Sequence, residues 1–154
     1  MLFRSHCALR FEEITGLNME SYVERTVELS CSMVPRKATL MLLRTRTGDL
    51  VGMGGLRRLP DGAAEIVRIF MRPSFRGHRF GTAMVERLIT EAELSGYEII
   101  RLDTAVFMES AQRIYRHAGF QLRPAYAGAE PPAVLQPYWL YMERPVRIDA
   151  PSSS

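Results

Sequence analysis

The stretch Met71-Arg72-Pro73-Ser74-Phe75-Arg76-Gly77-His78-Arg79-Phe80-Gly81-Thr82 is the most informative part of the chain. Upstream of it, Ala64-Glu65-Ile66-Val67-Arg68-Ile69-Phe70-Met71 is a largely apolar run that reads as a strand. Pro73 lacks an N–H for the ladder and ends it. Downstream, Met84, Val85, Leu88, Ile89 and Ala92 fall on one face of a helix from about Gly81 to Leu94, with Gly96 as its C′ residue. A short loop with two glycines therefore opens directly into an amphipathic helix. Such a junction presents backbone N–H groups that have no intrahelical acceptor, at the positive end of the helix dipole, and so attracts phosphate oxygens. Arg76 and Arg79 add charge there. Without the arginines the same pattern would read as an ordinary strand–loop–helix turn.

Before this stretch, Thr39 to Arg44 reads as a buried strand, Thr47-Gly48-Asp49 as a turn, and Leu50 to Leu56 as its antiparallel return. Pro60-Asp61-Gly62 turns again into the Ala64 strand, which completes a three-strand meander. Nearer the N-terminus, Ile14, Leu17, Tyr22, Val23, Val27 and Leu29 recur at roughly helical spacing, with Gly16 and Asn18 between them. The spacing predicts two short helices from Phe11 to Met33. After Gly96, Tyr97 to Thr104 reads as a strand with Ile100 and Leu102 on one face. Ala111, Ile114, Tyr115 and Ala118 form a second helical stripe, stopped by Gly119. A Pro-rich loop from Pro124 to Pro137 leads into an aromatic strand, Tyr138 to Met142. The order predicts a mixed α/β domain around one sheet.

Length and composition agree with a single folded domain. The chain has 154 residues, 47% apolar and 24% charged, which excludes disorder and fibrous classes. No apolar run approaches the ~18 residues that span a bilayer, and no signal peptide is visible, so a cytoplasmic protein is expected. Two cysteines, Cys7 and Cys31, make no disulfide framework. Net charge is only +3, yet 19 of the 20 basic residues are arginine. Six cations against one acid between Arg36 and Arg58 would suit an anionic partner. No aromatic residues interleave with them, however, so nucleic acid is not the expected partner.

Other chemistries fail their signatures. There is no P-loop, no Gly-x-Gly-x-x-Gly between strand and helix, no Gly-x-Ser-x-Gly elbow and no His-Glu-x-x-His. His6, His78 and His117 lack metal-ligand spacing with the cysteines, and no metal is expected.

Arg76-Gly77-His78-Arg79-Phe80-Gly81 resembles the acyl-CoA pyrophosphate signature of the GNAT N-acetyltransferase superfamily, Arg/Gln-x-x-Gly-x-Gly/Ala. Ala64 to Met71 resembles the family's fourth strand. Leu102-Asp103-Thr104, followed by Ala111-x-x-x-Tyr115-x-x-x-Gly119-Phe120, resembles its next strand and helix. The likeness runs from about Thr39 to Met142. Two positions depart from the pattern: Arg79 stands at the middle glycine, and Met108 stands where an asparagine is common three residues before the helix alanine. The family's first strand is not evident in residues 1–10.

The resemblance implies a GNAT fold, with a mixed six- to seven-stranded sheet and about four helices, as one domain over residues 1–148 and a flexible tail at 149–154. It implies acetyl-CoA as co-substrate, held by Ile69, Phe70 and Met71 of the strand, by Arg76, Gly77, His78, Arg79, Phe80, Gly81 and Thr82 of the loop, and by Ala111 of the following helix. A backbone N–H near Met71 would polarise the thioester carbonyl. Glu65 aligns with a strand glutamate used as general base, with an ion pair to Arg57 or Arg68 as its competing role. Tyr115 stands where the family often places its general acid, with core packing as the competing role. Asp103 reads as a structural hydrogen-bonder. The expected acceptor is the amine of a small molecule, protein or peptide. A non-catalytic acyl-CoA sensor is the alternative, followed by an RNA-directed acetyltransferase. Tyr138, Trp139 and Tyr141 would suit either an acceptor or a second subunit in a homodimer.

Overall fold

The computed structural model describes residues 38–147 apart from His78, Glu130 and Pro132. The two helices expected between Phe11 and Met33, both cysteines, and the 149–154 tail lie outside the described residues. The described elements are β1 (Thr39–Arg44), β2 (Leu50–Arg58), β3 (Ala64–Met71), α1 (Phe80–Leu94), β4 (Ile99–Ala105), α2 (Glu109–His117), β5 (Gln121–Arg123) and β6 (Trp139–Pro145). They build one six-stranded sheet in the order β1-β2-β3-β4-β6-β5. Among the described strands only β3 and β4 pair in parallel, as expected of two strands joined through α1.

The meander follows its turn chemistry. Gly48 (φ 93°) and Gly62 (φ 91°) take left-handed backbone where the two tight turns reverse the chain. Gly54 of β2 has its own geometric reason. A Cβ there would lie 3.0 Å from Met84 and Leu88 of α1, so glycine lets the helix settle onto the strand.

Both helices lie on the same face of the sheet. Met84, Val85, Leu88 and Ala92 of α1 and Tyr115 of α2 share a core with Leu56, Ala64, Ile66, Ile100, Leu102 and Met142. Each helix ends in a Schellman motif. Gly96 N–H donates to Glu93 O and Tyr97 N–H to Ala92 O; Gly119 N–H donates to Arg116 O and Phe120 N–H to Tyr115 O, all at 3.0 Å. Tyr97 is thereby committed to the first cap, which is why β4 begins at Ile99 rather than at Tyr97. The last strand runs from Trp139 to Pro145, later than the expected Tyr138 to Met142, because residues 133–138 form a 3-10 turn. β5 was not expected from the sequence. Its three residues pair only with β6.

Candidate active site

β3 and β4 pair over only two positions, Ala64 with Ile100 and Glu65 with Arg101. Beyond them the two strands do not pair with each other, although β3 continues to Met71 and β4 to Ala105. β3 also carries a bulge. Gly55 pairs with Val67 and Met53 with Phe70, so Arg68 and Ile69 together oppose the single residue Gly54. Arg68 sits there with φ 56°, a left-handed conformation unusual for a non-glycine residue. The extra residue shifts the strand's phase: Ala64 and Ile66 face the helix-side core before the bulge, and Ile69 and Met71 pack against it afterwards.

At the end of β3, Arg72 N–H donates to Val51 O of β2 at 2.8 Å. Successive N–H groups alternate along a strand. The Met71 and Ile69 N–H groups therefore point the other way, toward the side that β4 has left. That edge offers donors and acceptors for an extended, amide-bearing ligand.

The loop continues the same line. A 3-10 turn over Pro73–Phe75 leads to Gly77 (φ 84°) and then Arg79 (φ 60°, ψ 14°), which is the residue before the first turn of α1. No side chain caps this end, so the first-turn amides from Phe80 to Thr82 stay open to a ligand. Arg76 and Arg79 are exposed, and Arg76 Nε reaches Met71 O at 3.3 Å. His78 lies outside the described residues. A Cβ on Gly81 would stand 3.1 Å from Ile114 Cδ1, which brings the start of α1 close against α2. Ala111, half-buried on α2, packs against the same core.

Glu65 lies on the opposite face of the sheet from the helices and is 1% exposed. Arg57, its register partner on β2, donates from Nε to Oε1 at 2.8 Å, and Nη2 lies 2.7 Å from the same oxygen. Among the described residues, Oε2 has no hydrogen-bond partner. Burial raises the Glu65 carboxyl above its ordinary range. Tyr126 and Arg57 oppose that rise, and Asp103 adds to it. The arginine ion pair is thus present, with Arg57 rather than Arg68, and it engages one carboxylate oxygen.

Tyr115 is 8% exposed and edge-on to Phe120, with ring centroids 6.2 Å apart. Burial, assisted by the charge of Asp103, pushes its hydroxyl up to about 12. Asp103 accepts a hydrogen bond from Trp139 Nε1 at 2.8 Å. This fits the structural role expected of it, while its field reaches Glu65, Tyr115, Tyr126 and Tyr141. Met108 occupies the N-cap of α2 without a side-chain cap bond.

Two participants escaped the sequence reading. The Arg68 bulge was detectable in principle, because the apolar alternation slips by one residue between Ile66 and Ile69. Tyr126 was hidden in the Pro-rich loop, where nothing local marks an aromatic residue as buried. Among the described residues, no group of three or more His, Cys, Asp or Glu is placed to hold a metal ion. No described helix is long and apolar enough to cross a membrane.

Sequence and fold comparisons converge on one family. The sequence pattern of the Acetyltransferase (GNAT) family matches residues 10–120. The chain belongs to the GNAT family. It is 31% identical over 106 residues to an IAA acetyltransferase of Azospirillum brasilense, a match spanning 68% of this chain and 67% of that one. A Klebsiella pneumoniae structure described as an acyl-CoA N-acyltransferase superposes with a TM-score of 0.69 at 25% identity, covering 82% of this chain and 86% of the other. The ribosomal-protein-S18-alanine N-acetyltransferase of Escherichia coli shares the fold at a TM-score of 0.63 and 18% identity, over 82% and 81% of the two chains. As a GNAT N-acetyltransferase the chain uses an acyl-CoA donor. The splayed β3–β4 pair and the uncapped start of α1 suit an extended thioester arm ending in a pyrophosphate.

Proposed function

We propose that this GNAT protein transfers acetyl from acetyl-CoA to a primary amine by direct attack, with Glu65 as general base and Tyr115 as general acid. The observation that carries the reading is the parting of β3 from β4 after Glu65, with the Met71 N–H turned toward the opening. The pantetheine amides would pair with Ile69, Phe70 and Met71. The pyrophosphate would lie on Arg76, Gly77, His78, Arg79, Phe80, Gly81 and Thr82, with Ala111 beside it. The Met71 N–H would stabilise charge on the thioester oxygen.

The amine acceptor, of ordinary pKa near 10, reaches the site protonated at neutral pH. It loses that proton to Glu65, and since the carboxylate is 1% exposed, a bridging water carries it. The amine nitrogen then bonds to the acetyl carbon, the carbon–sulfur bond breaks, and the leaving thiolate takes a proton. A tyrosine held near 12 stays protonated throughout the neutral range and is always available to donate to sulfur as charge builds there. No cysteine lies in the matched blocks, which favours direct transfer over an acyl-enzyme.

Thermal unfolding with and without acetyl-CoA, against free adenosine diphosphate, is the first test. Ligand at ~100 times its dissociation constant adds about 2.7 kcal/mol, a midpoint rise of roughly 5–10 °C at this length. Glu65→Gln and Tyr115→Phe should keep that rise and lose on the order of 10²-fold or more in kcat. No shift at millimolar acetyl-CoA would overturn the reading. Met108, at a helix cap where it forms no side-chain bond, favours a second reading as a non-catalytic acyl-CoA sensor. Binding and biological effect surviving both substitutions would select it.

A further inference from the structure

Among the described residues, two buried oxygens on the charged face of the sheet lack hydrogen-bond partners: Glu65 Oε2 and Tyr126 Oη. The fold brings their segments together: Arg57, which holds Glu65 Oε1, also donates to Gly128 O two residues beyond Tyr126, and Arg101, the register partner of Glu65 on β4, lies over the Tyr126 ring. In that setting Tyr126 favours the charged form of Glu65. We infer that Tyr126 is a positioning residue for Glu65: its hydroxyl engages Oε2 while Arg57 engages Oε1, and the two together orient the carboxylate for its work as base. The inference rests on the reading of Glu65 as general base.

The Tyr126 ring is held from several directions. Arg101 lies over it at 5.4 Å and Arg123 at 5.5 Å from the centroid, and Tyr141 meets it edge-on at 5.6 Å. Both arginines are fixed in turn by Glu143. The loop itself is tied to the sheet, because Arg57 Nη2 also donates to Gly128 O. Gly128 (φ 90°) permits that approach: a Cβ there would stand 2.9 Å from Pro60 Cδ and 3.2 Å from Leu59 Cδ2. One arginine therefore anchors both the carboxylate and the loop that brings the phenol to it. A ring required only for packing would serve as well without a hydroxyl, and a buried hydroxyl with no other partner carries a desolvation penalty that only a use for it offsets.

The groups acting on Glu65 are Arg57 from β2, Asp103 from β4 and Tyr126 from the loop. Arg101, its register partner on β4, is engaged by Asp61 and Glu143. Removing the phenol deletes a donor to the charged form, so the carboxyl should protonate at higher pH.

The test compares pH profiles of kcat/KM for wild type, Tyr126→Phe and Glu65→Gln, with acetyl-CoA thermal shifts alongside. Tyr126→Phe should move the acidic limb upward by about one pH unit and leave the acetyl-CoA shift unchanged. A limb that stays in place in Tyr126→Phe, but disappears in Glu65→Gln, overturns the positioning role and leaves the base intact. A limb that survives Glu65→Gln overturns the base reading, and this inference with it. Should Tyr126→Phe fail to fold, 3-fluorotyrosine placed at position 126 keeps ring and hydroxyl and strengthens the donor. The limb should then move to lower pH, and an unmoved limb refutes the role.

Discussion

Arg79 stands at the middle-glycine position of the pyrophosphate signature, and the structure places it at φ 60°, ψ 14°. A left-handed backbone costs an L-residue roughly 1–2 kcal/mol, which is the physical reason a glycine suits that position. Retaining arginine there keeps a cation beside the first turn of α1, where an anion would bind. Arg79→Gly should therefore stabilise the fold by up to about 1 kcal/mol in denaturant unfolding while weakening acetyl-CoA binding several-fold in calorimetry. Gly77→Ala makes the opposite case. Nothing stands within 4 Å of the added Cβ, so its cost is the backbone strain at φ 84°, about 1 kcal/mol. Arg68 is the second left-handed non-glycine residue, and it marks the bulge that turns β3 toward the opening. Neither angle was legible in the sequence. Both are imposed by pairing with β2 and by the start of α1, whereas the glycines announced themselves.

At the scale of elements, α1 was legible nearly residue for residue, since a period of 3.6 and a Gly C′ are both local signals. β5 was not, because three residues become a strand only when β6 pairs with them. The start of α2 shows a local weakness. Met108 offers no acceptor to the first-turn N–H groups, which a polar N-cap side chain would satisfy. Met108→Asn should add about 1 kcal/mol, read as a midpoint rise of roughly 2–4 °C. If acetyl-CoA affinity rises as well, the substituted side chain also contacts the donor. The charged face of the sheet was only half legible. The Arg57 and Glu65 pairing follows from the meander register, but the seating of Tyr126 against Tyr141, Arg101 and Arg123 needs the whole loop to fold back over the strands.

Across the whole molecule, the sheet carries two charge systems with opposite responses to acid. Arg101, with a side chain 10% exposed, is held by Asp61 and Glu143, and Glu143 also binds Arg123. Hydrogen bonding to Arg101 lowers the Asp61 carboxyl. Around Glu143, burial pushes the carboxyl up, but the bonds to Arg101 and Arg123 outweigh it and lower it overall. Lowered acids contribute stability above their unfolded values, 3.8 and 4.5, and lose it as pH falls through their folded values. Unfolding free energy should accordingly drop below about pH 4.5. Glu143→Gln should flatten that drop and cost about 1–3 kcal/mol at pH 7, as measured by denaturant titration across pH. Glu65 runs the other way. Its raised carboxyl favours the protonated folded state, so its contribution is present at low pH and fades as pH rises through the folded value. What the sequence determined by itself was local or nearly so: α1, α2, the meander, the strand–loop–helix junction after β3 and the family they spell, because turn residues and periodicity act over a few positions. The parting of β3 from β4, the left-handed backbone of Arg68 and the tie of the 124–137 loop to the sheet through Arg57 and Gly128 were decided by tertiary structure alone. Each depends on how far apart or how close the fold brings segments that share no local signal.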